Sequence, residues 1–147
     1  MSVKDLLLLV ERRLDRNRRE QGRLNAAICE LQQKSQSITE HIHILAAQVV
    51  LYEKSQELKP VEFWERQRLK ASVLAEIAHF KYQIDSMSAQ IEKYQQLAEQ
   101  MKAHALVLHR KYEKFQKYLK RQRAEQCLKL ERQQQHEIEE LFVHVRD

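Results

Sequence analysis

The sequence predicts an all-α fold: a long antiparallel two-helix coiled-coil hairpin carrying an unpaired C-terminal helical extension. Three observations lead there. The 147 residues include one glycine and one proline, so the chain cannot be cut into many short elements and a few very long helices are forced. Two apolar seams of 14 positions each run along the chain. They flank the single proline, Pro60.

The first element is a helix over residues 1–58. Alternate steps of four and three from Val3 reach Leu7, Val10, Leu14, Asn17, Gln21, Leu24, Ile28, Leu31, Ser35, Ile38, Ile42, Leu45 and Val49. Eleven of these 14 positions are apolar, a narrow coiled-coil seam and not a broad globular face. The second helix covers 64–119. Its seam starts at Val73, Ile77, Phe80 and Ile84 and ends at Tyr112, Phe115 and Leu119, and all 14 of its positions are apolar or aromatic.

Register follows by arithmetic. Residue numbers of partners in an antiparallel pair sum to a constant, and 122 aligns the two seams end to end. Val3 then meets Leu119, Leu14 meets Leu108, Leu31 meets Ile91 and Val49 meets Val73. The fold point falls at residue 61, inside a turn placed at 59–63. Proline disrupts a helix interior but is tolerated in a first turn, and it pushes Lys59 away from helical geometry. Pro60 therefore opens the second helix. At about 1.5 Å per residue the paired stretch is about 80 Å long.

Two irregularities interrupt the pattern. Asn17 and Gln21 face Ala105 and Met101, which is either a register-fixing polar layer or a loose, solvated patch. Beyond Leu119 the seam lands on Gln122, Gln126 and Lys129, and a shifted one resumes at Cys127, Leu130, Ile138, Leu141 and Val145. Residues 120–147 have no counterpart on the first helix and form an extension of about 40 Å. Its apolar stretch Ile138–Val145 is a surface without cover inside the chain.

Charge is concentrated as well. Arg12–Arg23 holds six arginines against two acids, and Arg110–Arg123 holds seven lysines and arginines against one. The 122 register gathers both near the termini. They read as solvated coiled-coil faces or as a basic collar for an acidic surface. At the turn, Phe63 and Trp64 either cap the hairpin against Tyr52 or serve as exposed anchors for a partner.

Other functions find little support. There is no glycine-rich phosphate loop, nucleophile elbow or carboxylate–histidine set, so no enzyme and no cofactor are expected. His41 and His43 point to different helix faces. Cys29 and Cys127 lack metal-ligand spacing and fit a reducing compartment. No apolar run reaches the roughly 18 residues that span a bilayer, and "DLLLLV" at Asp5–Val10 is too short for a signal peptide core. A cytosolic protein without membrane insertion is expected. One rival is a basic leucine-zipper-like DNA-binding protein, although Leu14 interrupts its basic region. The other is a structural coiled-coil oligomer of straight chains in which Pro60 is only a kink.

The arginine-dense "LVERRLDRNRREQGRL", the turn segment "LKPVEFWERQRL" and the Gln/Glu-rich "LERQQQHEIEELFVHVRD" resemble the central stalk family of type III secretion systems, the YscO/FliJ-like proteins. The likeness covers nearly the whole chain, and length and layout are similar to the injectisome branch. It implies a small antiparallel coiled coil at the base of the secretion apparatus. Such a stalk inserts in the pore of the hexameric secretion ATPase, stimulates it and couples it to the cytosolic ring of the export gate. Carried onto this chain, Arg12, Arg13, Arg16, Arg19, Lys117, Lys120, Arg121 and Arg123 face the ATPase. Tyr52, Phe63, Trp64 and Arg68 face the gate, though the opposite assignment of ends stays open. Secretion chaperones are further partners that the resemblance admits; nucleic acid is not one.

Overall fold

The structure, a computed structural model, describes residues 2–54 and 59–146, with side chains through residue 145. Two α-helices account for nearly all of it: α1, Val3–Tyr52, and α2, Pro60–Arg146, of 50 and 87 residues. They pack against each other as a helical hairpin, and the described residues contain no strand.

The helix ends explain where the elements start and stop. Ser2 and Asp5 form a reciprocal cap. The Asp5 N–H donates to Ser2 Oγ and the Ser2 N–H to Asp5 Oδ2, each at 3.3 Å, which satisfies donors that have no partner within the helix. At its other end α1 tightens. The Lys54 N–H reaches Leu51 O at 3.4 Å, and the Glu53 N–H is shared between Val49 O and Val50 O. Pro60 is the first residue of α2, where its missing N–H costs nothing, and the Phe63 N–H closes the first turn on Lys59 O at 3.0 Å. The sequence reading placed the turn at 59–63, whereas α1 ends at Tyr52 and α2 begins at Pro60. Val61–Phe63 are already helical, and Glu53 and Lys54 have left α1. Residues 55–58, assigned above to the first helix, lie outside the described residues. Pro60 is a helix start and not a kink.

The chain divides into two compact units. One comprises Glu20–Met101 and contains the turn. Its hydrophobic cluster is Leu45, Val49 and Ile77, packed by Ile42, Val73 and Phe80. These are the three pairs that a constant of 122 brings together: Val49 with Val73, Leu45 with Ile77, and Ile42 with Phe80. The His41 ring meets the Phe80 ring edge-on at 5.1 Å, and Lys70 Nζ pairs with Glu53 at 3.0 Å. Both contacts sit within one residue of that register.

The other unit comprises Met1–Arg19 with Lys102–Asp147. Leu108 is its most enclosed side chain at 1% exposure, with Val10 also buried. Tyr112 Oη donates to Glu11 Oε1 across the helix pair at 3.1 Å, again one residue from the 122 register. Asn17 is buried at 7% exposure, and no buried side-chain polar atom among the described residues lacks a hydrogen-bond partner. Of the two readings of the Asn17 layer, the structure supports the enclosed polar layer. From Lys120 to Val145 every residue is exposed.

All 28 seam positions are buried or half-buried. Burying a leucine between two helices removes it from water and fills a local hole, so truncation is felt at once. Leu108→Ala should lower unfolding stability by about 2–5 kcal/mol in urea titration. Leu141→Ala, on the exposed extension, should change it by less than about 0.5 kcal/mol. Equal losses at both positions would contradict the extension's unpaired state.

Candidate functional site

The seam fixes which faces of each helix stay in water. On α1, Arg12, Arg16 and Arg19 follow one another at spacings of four and three, directly opposite the seam. Arg13 flanks them. On α2 the same spacing places Arg110, Lys114, Lys117 and Arg121 on the outward face. All of these side chains are exposed, as are Lys120 and Arg123. The eight residues predicted to meet the ATPase thus belong to one compact unit.

They do not form a tight ring. In the observed register Arg19 is level with residue 103, whereas Arg123 lies 20 residues further along α2. The basic surface is a stripe of about 30 Å on both outward faces. Its field adds over that length and suits an extended acidic partner. The inward side of α1 here is occupied by Val10, Leu14 and Asn17, all at least half-buried against α2. No free basic-region helix of the leucine-zipper type exists in this unit.

Sequence reasoning missed a shallow groove beside the stripe, lined by Val3, Lys111, Lys114, Phe115 and Tyr118. It combines an apolar floor with two ammonium groups. Its only sequence signal is aromatic–lysine alternation after Arg110. Nearby, the Tyr112 pKa is raised. The hydrogen bond to the Glu11 carboxylate contributes most, followed by partial desolvation and the Glu11 charge, with an opposing bond from Gln116.

In the turn-bearing unit, Phe63 is 47% and Trp64 66% exposed, stacked edge to face with centroids 6.0 Å apart. Their register partners would be residues 59 and 58, beyond the end of α1 at Tyr52. Arg68 is exposed and Tyr52 half-buried. The tip is held by side chains. Arg66 Nη1 donates to Lys54 O at 3.4 Å, covering a carbonyl just past the end of α1, and Lys70 pairs with Glu53. Of the sequence-predicted gate residues, the structure brings Phe63 and Trp64 together on the surface.

Among the described residues no group of histidine, cysteine or acidic side chains could hold a metal ion, and no helix is long and apolar enough to cross a membrane. Cys29 and Cys127 are free, exposed thiols.

A family model described as Salmonella surface presentation of antigen gene type M protein matches residues 1–142. The chain belongs to this family of type III secretion stalk proteins. No curated protein and no solved structure gives a significant match.

Two outcomes follow from these environments. Phe63→Ala and Trp64→Ala should each shift stability by less than about 0.5 kcal/mol, with Trp64 fluorescence that of a solvated indole before and after unfolding. A blue-shifted native emission would restore the capping role. Because the folded pKa of Tyr112 is raised, its stabilising bond is complete below the ordinary pKa of 10.0 and is lost as pH rises through the folded value. Absorbance titration should show Tyr112 ionising above the ordinary value, and Glu11→Gln should lower its midpoint.

Proposed function

We propose that this member of a type III secretion family is a central stalk. The unit formed by Met1–Arg19 and Lys102–Asp147 enters the pore of the hexameric secretion ATPase and stimulates it, at the base of the apparatus in the cytoplasm. Phe63 and Trp64, with Tyr52 and Arg68 beside them, contact the cytosolic ring of the export gate.

The observation that carries the reading is the extension. Leu141, Phe142, Val143 and Val145 are 61–84% exposed, and at about 100° per residue they spread over about 200° of the helix circumference, far wider than a coiled-coil seam. A helix with one apolar stripe packs on a flat surface. A wide apolar arc needs cover from more than one direction, which a ring of subunits provides. The basic stripe lies on the same unit and faces outward from both helices, so it can meet acidic residues on more than one subunit of such a ring.

No group of this chain is asked to do chemistry. Its contribution is differential binding: a stalk raises ATPase turnover only if it binds the assembled, catalytically competent hexamer more tightly than separate subunits. Coupling to the gate then requires that both contacts form on the same molecule.

Arg16→Glu, Arg19→Glu and Arg121→Glu, combined, should abolish stimulation of the partner ATPase while helicity and melting stay nearly unchanged, because all three side chains are exposed. Undiminished stimulation by the triple variant would remove the stripe from the interface. Phe63→Ala with Trp64→Ala should weaken capture of the gate's cytosolic domain and leave ATPase stimulation intact. Loss of both readouts together would refute the division of contacts.

A further inference from the structure

The extension has a periodicity of its own. Cys127, Leu130, Gln134, Ile138 and Leu141 follow one another at spacings of three, four, four and three. The pattern repeats after 11 residues, as Cys127–Leu130–Gln134 and then Ile138–Leu141–Val145. An 11-residue repeat gives about 3.67 residues per turn, so this strip runs almost straight along an α-helix and does not follow the left-handed wrap of a heptad seam. It cannot continue the pairing used up to Leu119, and every residue in it is exposed.

The spacing also reads the same in both directions about Gln134. Laid antiparallel on a second copy, with partner numbers summing to 268, Cys127 meets Leu141, Leu130 meets Ile138 and Gln134 meets its own counterpart. Every apolar position in this core finds an apolar partner, and the one polar position falls on the two-fold axis, where two amides can bond each other.

Charge selects this orientation. The first half of the extension carries Lys120, Arg121, Arg123, Lys129 and Arg132 against Glu125 and Glu131. The second half carries Glu137, Glu139 and Glu140 before Arg146. Antiparallel pairing sets the basic half over the acidic half twice. Parallel pairing sets like over like twice. Beside the axis Gln133 and Gln135 are neutral; further out Glu131 meets Glu137, and the Lys129–Glu139 meetings offset that repulsion.

We propose that the free protein forms an antiparallel homodimer through residues 120–146, with a second copy of this chain as the occupant of the extension's apolar strip. Such a dimer covers Leu130, Ile138 and Leu141 whenever no other partner does, and it excludes any other partner from the same face. The inference stands on the extension alone and does not require the ATPase reading.

Cross-linking of the full chain tests it, because antiparallel geometry separates the two cysteine positions. Cys127 lies about 21 Å along the axis from its own counterpart, whereas residue 134 lies beside its counterpart. A Cys29→Ser chain retains Cys127 as its only thiol. A Cys29→Ser, Cys127→Ser, Gln134→Cys chain has its only thiol on the axis. Under mild oxidation at roughly micromolar concentration the second chain should form disulfide dimers at least tenfold faster than the first. Adding Leu141→Asp should abolish the dimers without changing the melting of the hairpin. Equal rates, or faster cross-linking through Cys127, would overturn the proposal, as would a monomeric mass for the unmodified chain in sedimentation at tenfold higher concentration. ATPase stimulation is read separately, so failure of the dimer leaves that experiment interpretable.

Discussion

A strip of side chains two deep holds this protein together. Each helix has one face in contact with its partner, and the interior is nowhere thicker than the two residues that meet across it. Among the described residues only six hydrophobic side chains are buried, from Leu108 at 1% exposure to Val49 at 9%. A globular core spreads the loss of one contact over many neighbours. Here each layer touches only the layers above and below, so stability is close to a sum of local terms, as in a repeat protein. Pairing therefore persists only as far as both helices supply apolar layers, and α2 is left alone once α1 has no residue to offer.

That dependence explains what could be read from sequence. All 28 seam positions and the 122 register follow from spacing alone, since a period of 3.5 leaves one face for burial and one proline for reversal. The Ser2–Asp5 cap is an S-x-x-D pattern ahead of an apolar run, a signal the seam reading passed over. The end of α1 was not. Nothing between Val49 and Lys59 breaks a helix outright. The early stop is held by Arg66 on the Lys54 carbonyl and Lys70 on Glu53, contacts between residues 12 and 17 apart that periodicity cannot see. The state of Phe63 and Trp64 depended on that stop. α1 ends at Tyr52, and Phe63 and Trp64 are 47% and 66% exposed. The basic residues were legible as clusters, but only the register turned a compact collar into a stripe.

The seam also divides labour among residues. Inward positions are constrained by packing and can carry little else, so recognition falls to the outward ones. Arginine suits that place, because its aliphatic stem lies along the helix while the guanidinium stays hydrated and able to take carboxylates two-pronged. Asn17 is the buried polar side chain of the inner face. A buried amide with satisfied hydrogen bonds holds the helices less firmly than leucine would, but a slipped register must find those hydrogen bonds new partners. In a structure made of near-identical layers, such a mark discriminates one alignment from its neighbours.

The extension reverses the logic of the hairpin. A lone helix of this length is marginal in water, because helix propagation barely exceeds unity per residue and no packing supplements it. Any partner that covers the apolar strip therefore also stabilises the helix, and part of its binding free energy goes into that ordering. One chain thus combines helices held by a packed seam with an extension whose apolar strip is exposed. The change from a 7-residue to an 11-residue repeat beyond Leu119 marks where the first gives way to the second.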